Sequence, residues 1–200
     1  MYAICSDLEG VWVPEVWINV SKKTGIDELK LTTRDINDYN VLMNHRLTLL
    51  KKHHLTLHNI QQVIGTLEPL EGGREMLNWL RTHYLTLIVS DTFEEFASPL
   101  MDKLGQPALF CNKLVTGKDG MIENYILRQP DQKRCVVEAL RNLNYTVIAI
   151  GDSYNDISML KTAHHGILFR PPQKVVQDYP ELPVVNNYEE LKKIILQLTA

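Results

Sequence analysis

Short, almost wholly apolar runs recur along the chain at residues 2–6 (YAICS), 85–90 (LTLIVS), 146–151 (TVIAIG), 166–169 (GILF) and 183–185 (PVV). Runs this short, without polar alternation, are the pattern of strands covered on both faces, as in a parallel sheet. Between them the period lengthens. Residues 72–84 put Met76, Leu77, Leu80 and Tyr84 on one helical face, and residues 187–196 open with Asn187 three positions before Glu190, the spacing of a capping box. Strands alternating with helices predict a doubly wound α/β core. Residues 16–68 depart from this rhythm: 36–54 and 55–67 have helical period and no strand run appears. That stretch is expected to form a helical cap inserted after the first strand, leaving 1–15 and 69–200 as the core. Residues 109–127 place two apolar-rich arms around TGKDG, which predicts a β-hairpin that breaks the alternation.

With 200 residues, 44% of them hydrophobic, the chain is long enough for one well-buried core. Its 21 basic and 24 acidic residues give a formal charge of -3, which offers neither a stripe for nucleic acid nor a polybasic membrane anchor. Small molecules are the expected partners. No run approaches the roughly 18 apolar residues of a membrane span, and Asp7 and Glu9 fall where a signal peptide needs its apolar region. Cys5, Cys111 and Cys135 are odd in number and widely spaced, so neither a disulfide framework nor a zinc knuckle is expected, and a reducing cytoplasm suits them.

Ligands of a doubly wound sheet bind outside the carboxyl ends of its strands, so the residues following each run carry the candidate chemistry. After the first come Asp7, Glu9 and Gly10; after the second Ser90, Asp91 and Thr92; after the third Asp152, Ser153, Asn155 and Asp156. Lys133, in DQKR, precedes the helix leading to that third strand. Taken singly, each group has an ordinary reading as turn, helix cap or solvated lysine. The histidine pairs 53–54 and 164–165 read as surface or internally satisfied side chains and stay outside the site. Jointly, the acids, hydroxyls and lysine suit phosphoryl transfer through an acyl-phosphate: a carboxylate attacks phosphorus, Mg²⁺ takes oxygen ligands, and a lysine and a hydroxyl hold the other phosphoryl oxygens. An aspartate repels a phosphate dianion, so Asp152 opposite Asp7 is the expected metal ligand.

DLEGV at 7–11, the hydroxyl in VSDTF, the lysine of DQKR and GDSYND at 151–156 together resemble the four motifs of the haloacid dehalogenase superfamily. DLEGVWVPEVW, TTRDINDYNVLMNHR and RPPQKVVQDYPELPVV are similar to its phosphoserine phosphatase branch, and within it to enzymes that also transfer phosphate from phosphoserine to homoserine. The resemblance implies a Rossmann-like core, a helical cap, Mg²⁺ and an aspartyl-phosphate. It implies Asp7 as nucleophile and metal ligand, Asp152 as metal ligand, and Glu9 as a ligand through its carbonyl and a proton carrier through its side chain. Ser90, Asp91, Lys133 and Asn155 would bind the phosphorylated substrate, with Gly10 and Asp156 in support. Two positions depart from the superfamily pattern: Glu9 where Asp is usual, which moves the proton carrier by one methylene, and Ser153 where Gly is usual. A phosphoserine pocket wants an acid for the ammonium and an arginine for the carboxylate, and Glu15 and Arg46 fit. Two alternatives stay open: a phosphatase of another small phosphomonoester, and a receiver-like domain that is merely phosphorylated. The oligomeric state, a homodimer included, and the choice between serine and threonine synthesis also stay open.

Overall fold

Alternate residues of the central strands enter two different apolar layers. From β1 (Tyr2–Ser6), Ile4 joins one layer while Ala3 and Cys5 join the other; from β5 (Thr146–Gly151), Ile148 and Ile150 oppose Val147 and Ala149. All seven are fully buried. Side chains of a strand alternate between faces, and with both faces covered no polar position is left to mark the alternation. The computed structural model describes every residue except Thr33, Arg34 and Asn37.

Among the described residues the sheet has seven strands. β1 lies between β2 (Leu85–Phe93) and β5, parallel to both, with Ala3 level with Leu85 and Val147. β6 (His165–Phe169) and β7 (Val184–Val185) continue beyond β5, while β3 (Ala108–Thr116) and β4 (Ile122–Ile126) continue beyond β2, giving the order β4-β3-β2-β1-β5-β6-β7. Only β4 runs antiparallel to its neighbour. The expected hairpin forms from β3 and β4, but it extends the main sheet instead of interrupting it. The reason is that the first half of β3 pairs in parallel with β2, Leu109 level with Ile88. Chain order reverses at β1, so the crevice at the carboxyl ends of β2, β1 and β5 is the topological switch point.

One face is covered by α4 (Gly73–His83) through Met76, Leu77 and Leu80, and by α9 (Tyr188–Leu198) through Leu191 and Ile195. The other is covered by α6 (Gln132–Asn142), α7 (Ile157–Thr162) and α8 (Gln173–Asp178), with Val137, Leu160 and Val175 buried against Ala3 and Cys5. The Asn187 side chain accepts from the Glu190 N–H at 2.8 Å, as its spacing predicts. Tyr84, expected on the α4 face, instead follows the helix in extended conformation, its hydroxyl 2.9 Å from Thr199 Oγ1.

Between β1 and α4 lie α1 (Val16–Thr24), α2 (Tyr39–Lys52) and α3 (Leu57–Gly65). α2 starts under an Asp38 cap whose Oδ1 accepts from the N–H groups of Asn40 and Val41. Asn37 of the expected 36–54 helix, and Thr33 and Arg34 of the TTRD stretch, lie outside the described residues. Three short helices bury too little apolar surface to be stable alone. Accordingly Val20, Leu50, Ile60 and Ile64 share one cluster with Phe96 and Leu100 of α5 (Glu94–Lys103), and the Trp17 and Phe96 rings meet edge-on at 5.4 Å. Gln61 Nε2 also donates to the Glu95 carbonyl at 2.8 Å.

A shared core predicts shared unfolding. Ile60→Ala, which empties a fully buried position on α3, should lower global stability by about 2–5 kcal/mol. Urea unfolding followed by tryptophan fluorescence should show one transition moved to lower urea. A separate early transition, with the main one in place, would mean that the inserted helices have a core of their own.

Candidate active site

The chain leaves β1 in a tight loop that fixes Asp7. The Asp7 N–H donates to the Ile150 carbonyl at 2.9 Å, the Trp12 N–H to Leu8 at 2.9 Å and the Gly10 N–H to Val13 at 2.8 Å. Underneath, the buried Trp12 indole donates to Ser6 Oγ at 2.7 Å and stacks on Tyr188. The turn separates the two acids of DLEGV. Asp7 Oδ1 accepts from the Leu8 N–H at 2.7 Å and Oδ2 lies 3.1 Å from Lys133 Nζ, whereas Glu9 Oε2 accepts from the Val16 N–H at the start of α1 at 2.8 Å. Both line the same cavity of about 820 Å³.

Lys133, only 1% exposed, stands at the N-terminus of α6 among three carboxylates: Asp156 at 2.7 Å, Asp7 at 3.1 Å and Asp91 at 3.5 Å. Burial pulls its pKa down, but Asp156, Asp7 and Asp91 outweigh that and hold it well above the usual lysine value, so the ammonium stays charged. Burial pushes Asp7 up, with Lys133 opposing and Asp156, Asp152 and Asp91 adding to the rise. Asp152 is pushed up to about 7, first by burial and then by Asp156 and Glu15. One buried cation therefore faces more acid than it can neutralise.

Carboxylate oxygens of Asp7, Asp152 and Asp156 lie within 4.8 Å of one another. Asp156 is already engaged: Oδ1 accepts from Lys133, and Oδ2 from the N–H groups of Asp152 and Ser153 at 2.9 and 3.1 Å. It braces the site, and Asp7 and Asp152 are the carboxylates best placed for a metal. The all-oxygen donor set fits a hard divalent cation. Gly10 has φ +76° and a Cβ there would stand 2.5 Å from Asp152 Oδ2, so this acid reaches the cluster only because residue 10 has no side chain.

The end of β2 adjoins this cluster through Asp91. The strand runs to Phe93, so Ser90, Asp91 and Thr92 lie within its last residues, not after them, and pairing with β3 lapses between Val89 and Phe93. That stretch of backbone is held by side chains instead. Gln132 Nε2 donates to the Ser90 carbonyl at 2.8 Å, and Asn112 Nδ2 and the Tyr39 hydroxyl each donate to the Asp91 carbonyl at 3.1 Å. Asn155 Nδ2 donates to Asp91 Oδ2 at 3.2 Å.

Glu15 and Arg46 line the cavity with Glu9, Trp17 and Tyr39. The Arg46 guanidinium lies over Trp17, 4.5 Å from the ring centroid, and donates through one terminal nitrogen to the Leu31 carbonyl at 2.8 Å; its buried Nε makes no hydrogen bond among the described residues. Burial lowers its pKa to about 10. Glu9 is raised to about 8 by burial and then by the neighbouring Glu15. All the candidate residues of the sequence thus converge except Gly10 and Asp156, which act from behind. Sequence reasoning missed Trp17, Tyr39, Asn112 and Gln132. Three of these lie within stretches already singled out, Trp17 in DLEGVWVPEVW, Tyr39 in TTRDINDYNVLMNHR and Gln132 in DQKR; Asn112 reaches the site only through the fold. The histidine pairs do not line the cavity, and His164 Nδ1 accepts from the Val147 N–H at 3.0 Å.

The family model for haloacid dehalogenase-like hydrolases matches residues 4–164. The chain is 52% identical over 200 residues to a protein of Pseudomonas aeruginosa named phosphoserine phosphatase ThrH, covering 100% of this chain and 98% of that one. It is 52% identical over 189 residues to a phosphoserine phosphatase of Pseudomonas syringae pv. tomato, covering 94% and 80%. A solved apo phosphoserine phosphatase superposes with a TM-score of 0.78 at 21% identity, over 96% of this chain and 98% of that one, a likeness of fold.

Gly10→Ala tests the cation cluster. The variant should fold, with a lower melting temperature from the strained φ, and bind a hard divalent cation about tenfold more weakly because Asp152 is displaced. Calorimetric titration with Mg²⁺ reads this directly, and unchanged affinity would remove Asp152 from the cation site.

Proposed function

The chain belongs to the haloacid dehalogenase-like hydrolases, and on that premise we propose that it is a Mg²⁺-dependent phosphoserine phosphatase that also passes the phosphoryl group to homoserine. The observation that carries the reading is the pairing of two walls in one cavity, Asp7 with Lys133 and Asp152 on one and Arg46 with Glu15 on the other. The names of the two Pseudomonas relatives support it.

In this reading Asp7 attacks phosphorus and the serine oxygen leaves. Asp7, Asp152 and the Glu9 carbonyl would hold Mg²⁺, which would supply neutralisation of negative charge at this centre. Ser90, Asn155, Lys133 and the Asp91 main chain hold the phosphoryl oxygens. Arg46 grips the substrate carboxylate and Glu15 its ammonium. Glu9, kept protonated up to about pH 8 by burial, gives its proton to the leaving serine oxygen. It then takes a proton from water, or from the homoserine hydroxyl, as that oxygen attacks phosphorus and the bond to Asp7 breaks. Homoserine carries the same ammonium and carboxylate as serine with its hydroxyl one methylene farther out, so one clamp serves donor and acceptor. Residues 16–68 act as the cap that keeps bulk water out. The free Cys5, Cys111 and Cys135 support a cytoplasmic setting, and among the described residues no helix is long and apolar enough to cross a membrane.

The test is a panel of phosphoserine, a phosphosugar and p-nitrophenyl phosphate, with Mg²⁺ or EDTA, on wild type and Arg46→Ala, with a homoserine arm followed by phosphorus NMR. Phosphoserine should be preferred, EDTA should abolish turnover, and phosphohomoserine should appear. Arg46→Ala should raise KM for phosphoserine by about 10- to 100-fold, the worth of a charge-assisted hydrogen bond, and leave p-nitrophenyl phosphate nearly unchanged. Equal losses on both substrates, or preference for the phosphosugar, would reject the amino-acid clamp.

A further inference from the structure

Asp91 puts a negative charge where the proposed reaction needs to receive one. Its Oδ2 lies 3.5 Å from Lys133 Nζ and accepts from Asn155 Nδ2 at 3.2 Å, while Oδ1 accepts from Gln132 Nε2 at 3.3 Å. Lys133 and Asn155 are two of the donors assigned above to the phosphoryl oxygens. A carboxylate and a phosphate dianion on the same two donors repel each other at close range, and burial of the lysine keeps screening low.

The contacts differ in firmness. Lys133 cannot follow Asp91, because Asp156 at 2.7 Å and Asp7 at 3.1 Å hold its ammonium within the buried knot. The Asp91 carbonyl is pinned by Tyr39 and Asn112. Its side chain is 36% exposed and, among the described residues, makes only the three long contacts just given, so it can rotate toward solvent at small cost.

We propose that the Asp91 carboxylate is an internal competitor for the phosphoryl site: it holds Lys133 and Asn155, yields them to the phosphoryl group of the substrate, and reclaims them as inorganic phosphate departs. The inference rests on the reading of Lys133 and Asn155 as phosphoryl-binding groups. Asp91 then sets the affinity for anions without touching the bond that breaks, and it disfavours retention of the product. It is a positioning residue for the anion site, and its charge is what matters.

The experiment measures binding of inorganic phosphate to the Mg²⁺-loaded protein by calorimetry, so it does not depend on which substrate is turned over. Asp91→Asn, which removes the charge and keeps the shape, should bind phosphate on the order of tenfold more tightly than wild type. Asp91→Glu, which keeps the charge, should stay within about twofold of wild type. Asp91→Ala stands in if the Asn variant does not fold. Product inhibition of phosphoserine hydrolysis should strengthen in parallel with the Asn variant. Unchanged or weaker phosphate binding by the uncharged variant overturns the proposal, as does equal tightening in Asp91→Glu. A selective rise in KM for phosphoserine, with phosphate binding unchanged, assigns Asp91 to the substrate ammonium instead. Failure of phosphoserine turnover, with phosphate binding still tightened in Asp91→Asn, rejects the substrate and leaves the competitor in place.

Discussion

A lysine as deeply buried as Lys133 keeps its charge only if the fold brings acids to it, and the rest of this site follows from that demand. The acids come from three strands: Asp7 beyond β1, Asp91 at the end of β2 and Asp156 beyond β5. Each strand end is thereby tied to the N-terminus of α6. Removing Asp7 or Asp156, the two buried acids, leaves Lys133 undercompensated, at a cost of about 3–5 kcal/mol. The same knot carries surplus negative charge, with Asp152 beside it, which creates the demand for a divalent cation. Asp156 meets two needs together, as partner to Lys133 and as acceptor for the backbone that presents Asp152.

The inserted helices add Trp17, Tyr39 and Arg46 to the lining of the cavity that this electrostatic centre opens into. They do so while sharing the core of the sheet domain, since Trp17 packs on Phe96 and also lies under Arg46. A side chain that stabilises the packing thus also orients the guanidinium. Tyr39 plays a similar double part: it lines the cavity beside Arg46 and holds the Asp91 carbonyl. Through that hydrogen bond the helix that carries Arg46 is also tied to the end of β2.

Much of this was legible in the sequence. Strands buried on both faces announce themselves as unbroken apolar runs, and a doubly wound sheet tells the reader to look beyond their ends, which is how Asp7, Ser90, Asp152 and Asn155 were found. Illegible were the groups whose role depends on distant chain. Asn112 sits on β3 and meets Asp91 only because β3 pairs with β2; nothing in its local sequence marks it. The division of labour between Asp152 and Asp156 likewise required the backbone hydrogen bonds that occupy Asp156. The end of β2 was misplaced by three residues because Ser90, Asp91 and Thr92 look like a loop in composition, and only the lapse in pairing with β3 shows how they remain extended.

The central claim is that Asp7 carries the phosphoryl group. Enzyme mixed with Mg²⁺ and phosphoserine, quenched in acid within a turnover and reduced with borohydride, reports this by peptide mass spectrometry, because borohydride converts an aspartyl-phosphate to homoserine and spares a free aspartate. The account predicts conversion of residue 7 in a substrate-dependent fraction of the protein. Turnover with residue 7 unreduced, or reduction at another acid, would contradict it.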